Sequence, residues 1–302
     1  MENLFYLFIL LALGKISRRL KAFPENTPQF LNLFVIYFSF PALVLLQTNR
    51  LELKAELAAL AVIPWVLVLL SVFMVRIISG VLKWDRKLTG AVMLSMALGN
   101  TSFFGFPAVT SFFGEDYLSY AVIYDQFGSF LALAIFGTIV VSVYGTGDKI
   151  SIRRICKRII SFPPFLALLM GISLMKTTYP SIVIKILEGL SATLIPLVIF
   201  SVGAQLRLRQ PMSNIKPISA SIFLKMVVSP VAAFLILYLM NVRGPVFQIS
   251  VFEAAMPSMV MSGILAQSGK LNADVANAAI GYGLVLSFIT LPLLYQILKN
   301  YS

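Results

Sequence analysis

From Leu57 to Val75 the chain runs nineteen residues without a charged side chain. A stretch of about 20 apolar residues is what a helix needs to cross the hydrocarbon core of a bilayer. A soluble domain has no use for several such stretches, and this chain has several. Apolar residues make up 59% of its 302 residues and charged residues only 12%, against roughly 25% charged in an average soluble domain. The formal net charge of +12 would suggest nucleic acid in a soluble chain. Here the basic residues sit in short clusters between apolar runs, as loops beside a membrane do, so no nucleic-acid partner is expected. The chain reads as an all-α polytopic membrane protein.

Runs bounded by charge, proline or turn residues predict ten transmembrane helices. They fall near 3–20, 28–48, 56–80, 88–113, 117–144, 162–177, 182–206, 216–240, 244–268 and 272–298. The first has a clean apolar stretch only from Leu4 to Leu13 before Lys15, whose ammonium can snorkel to the interface. A cleavable signal peptide would carry its positive charges ahead of the apolar run, whereas KISRRLK follows it. Alternate loops are basic: Lys15, Arg18, Arg19 and Lys21; Arg76, Lys83, Arg86 and Lys87; Lys149, Arg153, Arg154, Lys157 and Arg158; Arg207, Arg209 and Lys216. The intervening loops hold one or two basic residues each, offset by Glu52, Glu56, Asp116 and Glu188. The positive-inside rule then predicts both termini outside a cell (inner or plasma) membrane.

The longest polar connection, YGTGDKISIRRICKR, divides the spans into five and five. The expected organisation is a first five-helix repeat at 1–145, a cytoplasmic linker at 146–161 and a second repeat at 162–302. Sliding the second half back by 155 residues aligns YFSFPALVL around Pro41 with ATLIPLVIF around Pro196, Gly114 with Gly269, and Gly128 with Gly283, while Pro107 and Pro257 lie a few residues out of register across a short indel. An odd number of helices per repeat forces the two halves into opposite orientations, the arrangement many secondary transporters use for alternating access.

Two of the ten spans are broken by polar sequence, the fourth at GNTSFFGFP and the ninth at FEAAMPSMVMSG. Proline lacks an N–H and clashes with the preceding turn, so unwinding is expected at Pro107 and Pro257. Unwound backbone at membrane depth survives only where protein buries it or a cavity hydrates it. Interruptions at matched positions of two halves mark a transporter's binding site, and the positive ends of the half-helices that begin there favour an anion.

The motifs LGNTSFFGFP, FGEDYLSYAVIYDQFG and EAAMPSMVM, with LNLFVIYFSFPALVL and LIPLVIFSVGAQL, resemble the auxin efflux carrier family in its prokaryotic branch. The resemblance runs in order along essentially the whole chain, and extends to the plant PIN-type auxin exporters. It implies a fold like that of bile-acid sodium symporters and sodium/proton antiporters: two inverted five-helix repeats whose broken helices four and nine cross in mid-membrane. It also implies export of small organic anions such as carboxylates or auxin-like acids. The plant members' long central hydrophilic loop is absent.

Substrate candidates follow from the breaks. Asn100, Thr101 and Ser102 lie at the first, and Met256 and Ser258 flank Pro257 in the second. By resemblance Asn100 leads, and Asn32 matches a polar position of the plant exporters. Gly99, Gly105, Pro107 and Pro257 are expected to shape the crossing, the glycines by close backbone approach. Asp125, Lys225 and Glu253 lie within spans, where a charge costs about 2.5–3.5 kcal/mol or more. Each is a candidate for proton or cation coupling, and a fixed ion pair of Lys225 with Glu253 or Asp125 is the plainer alternative. Arg243 reads as an interfacial anchor.

The expected partners are a small organic anion, a proton or sodium ion, and the lipid bilayer, with a homodimer allowed. With no histidine and one cysteine, Cys156, no metal, cofactor or disulfide framework is expected, and His-dependent intramembrane proteolysis is excluded. Asp125 and Glu253 lack the glycine-flanked spacing of an aspartyl pair. A passive channel or a non-transporting regulatory membrane subunit of the same fold is the alternative. No GxxxxGK[ST] loop is present, so the energy source is a gradient.

Overall fold

A backbone amide in hydrocarbon finds no water, so an apolar run must bond its own N–H and C=O groups, which a helix does within one segment. The computed structural model describes residues 2–49, 51, 54–147, 150–175, 177–206 and 214–301. Among them the regular structure is helical, with no strand beyond one isolated bridge. The loop charges Glu52, Lys149, Arg207 and Arg209 lie outside the described residues.

In chain order the helices are α1 (Glu2–Ser17), α2 (Thr27–Asn49), α3 (Leu57–Val81), α4 (Arg86–Ala97), α5 (Phe106–Phe113), α6 (Glu115–Gly145), α7 (Ile152–Ile160), α8 (Pro163–Ser173), α9 (Ser181–Gln205), α10 (Ile215–Leu239), α11 (Gly244–Ala254), α12 (Val260–Ser268) and α13 (Ala273–Leu298). Six are long and apolar enough to cross a bilayer, namely α2, α3, α6, α9, α10 and α13. The bent pair α7 and α8 makes a seventh if it counts as one span. The sequences 88–113 and 244–268 instead form the half-helices α4, α5, α11 and α12. Within the long helices, π-type turns with i→i+5 bonding occupy Val35–Ser39, Tyr124–Phe130, Val141–Thr146 and Leu224–Val228, and another, Thr101–Gly105, leads into α5.

The helices gather into two compact units, each drawn from three stretches of chain. The first holds Met1–Lys54, Ser102–Val122 and Lys157–Leu206. Its tightest packing joins α1 to α9. A Cβ on Gly14 would lie 2.0 Å from the Phe200 carbonyl oxygen, and one on Gly203 would lie 2.1 Å from that of Leu11. Each glycine therefore admits the other helix's backbone. Backbone cannot swing aside, so Gly203→Ala is expected to lower stability by about 1–3 kcal/mol. A thermal melt of the purified protein reads this, and an unchanged midpoint would refute the contact. The half-buried Lys15 ammonium donates to the Leu206 carbonyl just past the end of α9. There the positive charge meets the negative end of the helix. In α2, Phe40 sits edge-on against Phe106 and Phe162, at 5.2 and 6.4 Å between ring centres. The neighbouring Ser39 hydroxyl shares a 2.7 Å hydrogen bond with Thr193.

The second unit holds Ala55–Thr101, Ile123–Cys156 and Arg207–Ser302. Its apolar core includes Val75, Val92, Leu94, Met96, Ala266 and Ala276, all fully buried. On α6, the wide turn at Tyr124–Phe130 is braced from α3. The Trp65 indole N–H donates to the Phe127 carbonyl at 3.0 Å. Gly128 rests on the Pro64 ring, where a Cβ would lie 2.3 Å from Cγ.

Candidate functional site

Helix α4 stops at Ala97, and Leu98 turns to extended backbone. The opening therefore lies at Leu98–Asn100, well before Pro107. Pro107 stands instead in the first turn of α5, where its missing N–H is no loss. Gly105 precedes it in helical conformation. Between α11 and α12 the opening does include its proline, running from Ala255 to Met259.

The two openings satisfy each other. Gly99 and Ser258 form an antiparallel bridge. The Asn100 N–H donates to the Pro257 carbonyl at 2.8 Å, and the Met259 N–H to the Leu98 carbonyl at 2.8 Å. The Ser258 hydroxyl adds a 2.7 Å bond to the Ser95 carbonyl in the last turn of α4. Backbone that would otherwise be orphaned in a buried, apolar setting thus finds partners. Asn100, Thr101, Met256 and Ser258 are all buried around this pairing.

The carbonyl end of α11 is served by a charge. The Lys225 ammonium donates to the Ala254 carbonyl at 3.0 Å, placing a cation at the negative end of that half-helix. The same side chain lies against Gly99, where a Cβ would sit 3.0 Å from Nζ. Gly99 is therefore the residue of the first break that gives Lys225 its place.

Asp125 is held from two sides. The Thr101 hydroxyl donates to its Oδ1 at 2.5 Å, and the Gln126 amide nitrogen to its Oδ2 at 2.7 Å. Glu253, one residue before Ala254, is wholly buried, and neither carboxylate oxygen has a hydrogen-bond partner among the described residues. It interacts electrostatically with both Asp125 and Lys225. Asp125, Lys225 and Glu253 are 2%, 4% and 0% exposed, so three ionisable groups are buried in one compact unit.

The remaining candidates lie elsewhere or are already engaged. Thr101 and Ser258 use their hydroxyls on Asp125 and Ser95. Ser102 is half-buried and belongs to the first unit. Asn32, in that same unit, accepts from the Ser201 hydroxyl at 2.7 Å, and the Gln205 amide donates to that hydroxyl at 3.1 Å. The interhelical hydrogen bonding expected of Asn32 is thus present between α2 and α9. Arg243 is exposed at the start of α11, with its guanidinium 4.7 Å from the centre of the Tyr238 ring. Gln126 and Ala254 take part in the cluster without having stood out in the sequence. An Asp–Gln pair inside an apolar span was the available signal for Gln126; a backbone carbonyl leaves none.

The family model described as membrane transport protein matches residues 1–295. An uncharacterized transporter of Methanothermobacter thermautotrophicus is 28% identical over 301 residues, covering 97% of this chain and 96% of the relative. Another, of Methanocaldococcus jannaschii, is 29% identical over 316 residues and 99% of each chain. Together with the apolar helices these make the chain a multi-pass membrane transport protein, and it belongs to the membrane transport protein family, the auxin efflux carriers that its LGNTSFFGFP motif resembles.

Proposed function

We propose that the protein is a secondary-active exporter of small organic anions, carboxylates or auxin-like acids, working by alternating access around the paired breaks. The observation that carries this reading is the antiparallel pairing of Leu98–Asn100 with Pro257–Met259 beside three buried ionisable groups. A passive pore has no need of such a cluster, whereas a carrier that couples to a proton needs groups that change charge out of contact with water.

In this reading the chain crosses the cell membrane ten times, with repeats at 1–145 and 162–302 joined by 146–161 and both termini outside. The inverted relation is supported by Ser39 and Thr193, which lie within one position of equivalence in the 155-residue register and meet each other. Asn100 and Met256 contact the anion near the openings of the half-helices that begin at the breaks. Thr101 and Ser258 position Asp125 and the end of α4. Asp125 and Glu253 carry the coupling proton. Their two negative charges stand against the single positive charge of Lys225, so uptake of one proton makes the trio formally neutral. Lys225 takes the place a sodium ion would fill, and proton coupling is the favoured mode.

Flux of labelled dicarboxylates and indole-acetate in proteoliposomes tests this, with and without an imposed proton gradient. Wild type is expected to respond to the gradient. Asp125→Asn is expected to lose that response and retain substrate binding. Asn100→Ala is expected to weaken binding by about tenfold, the worth of one hydrogen bond to a charged ligand. A gradient response that survives in Asp125→Asn would take the coupling proton away from Asp125. Absence of both flux and binding across a broad anion panel would favour a regulatory membrane subunit.

A further inference from the structure

The helix α7, Ile152–Ile160, has a construction that the transport reading does not use. At 100° per residue, Ile152, Ile155, Cys156, Ile159 and Ile160 fall within one arc of roughly 140°. Arg153, Arg154, Lys157 and Arg158 fall within an arc of the same width on the other side, and no residue is out of place. All four cations are exposed. On the apolar side Ile155 and Ile159 are half-buried, while Ile152 is 75% and Ile160 64% exposed. The helix start is fixed by Ser151, whose hydroxyl accepts from the Arg154 N–H at 3.3 Å. After Ser161 and Phe162 the chain bends by 63° into the apolar helix α8.

We infer that α7 lies flat in the membrane–water interface and binds anionic phospholipid headgroups through Arg153, Arg154, Lys157 and Arg158. Four cations within nine residues are not carried into hydrocarbon, so α7 is not the first half of a spanning segment. A helix with this strict division lies in the interface plane, its isoleucines against the acyl boundary and its cations among the headgroups. The bend supplies the geometry, since it lets an in-plane helix continue directly into an apolar one. Charge complementarity selects the occupant. Zwitterionic headgroups offer these cations no net attraction, while a phosphatidylglycerol-type surface offers a dense array of negative phosphates.

Cys156 is the single cysteine of the chain and is exposed, which makes it a native reporter position. The full-length protein is labelled there with an environment-sensitive fluorophore. It is then placed in lipid nanodiscs of phosphatidylcholine alone or of phosphatidylcholine mixed with phosphatidylglycerol. Quenching by acrylamide, which is uncharged, is expected to fall by about threefold or more in the anionic discs at low salt, and the difference to vanish at high salt. The variant R153Q/R154Q/K157Q/R158Q is expected to quench equally in both discs, and R153Q/K157Q to fall between. All four side chains are solvent-facing, so these variants leave the packing untouched.

Equal quenching of the wild type in the two discs would overturn the proposal. Protection in neutral discs by soluble glycerol phosphate alone would also overturn it, by assigning a free phosphate ligand. No cargo enters the measurement. A failed lipid effect therefore leaves the carrier reading standing, and a failed flux assay leaves this one standing.

Discussion

Lys225→Met is expected to reduce anion flux by at least about 100-fold while leaving the protein in the membrane. Methionine matches the stem of lysine and removes only the charge and its donors. Two groups then lose their partner: the Ala254 carbonyl at the end of α11, 3.0 Å from Nζ, and the carboxylate of Glu253, which has no hydrogen bond among the described residues. Taking one partner out of a buried charged group costs about 3–5 kcal/mol, or roughly 150- to 5000-fold in any equilibrium that needs the intact arrangement. The formal charge of the trio also changes, so that two protons rather than one would neutralise it. Flux per reconstituted protein in proteoliposomes measures the effect. A wild-type rate in Lys225→Met would mean that the cation is a spectator to transport.

The second large effect is expected from Glu253→Gln. Glutamine keeps the volume and removes the titration, so the variant is expected to lose acceleration by a proton gradient while anion–anion exchange continues near the wild-type rate. Counterflow of labelled against unlabelled anion separates the two quantities. If gradient-driven flux persists in Glu253→Gln and disappears in Asp125→Asn, the proton belongs to Asp125 alone. If gradient-driven flux persists in both variants, neither carboxyl group carries it. Asp125 differs from Glu253 in being fixed by Thr101 and Gln126.

The elements of this molecule follow from its local sequence, because hydropathy acts residue by residue. The long helices begin and end within a few residues of the positions expected from apolar length and flanking charge. The polar interruptions near Gly99 and Pro257 were equally legible, since no lipid-facing helix tolerates that composition. The exact opening was not. Pro107 pointed to a break that lies instead at Leu98–Asn100, because the bonds that stabilise the opening come from Pro257 and Met259. The second partner of Lys225 was hidden for the same reason. A lysine in an apolar span suggests a carboxylate, and Lys225, besides interacting with Glu253, donates to the main chain of α11. Asn32 showed the converse: its polarity predicted an interhelical hydrogen bond, and Ser201 supplies one.

Thr101, Asp125 and Lys225 all stand on wide π-type turns, at Thr101–Gly105, Tyr124–Phe130 and Leu224–Val228. Within a helix, such a turn carries one residue more than an ordinary α-turn. Loss of one codon at Tyr124–Phe130 or Leu224–Val228 would let the ordinary helix close while the segments on either side keep their faces. The displaced group is then the side chain carried on the wide turn itself, Asp125 or Lys225. Charge placement in this transporter is therefore inherited partly as chain length at short windows, a property that residue identity alone does not record.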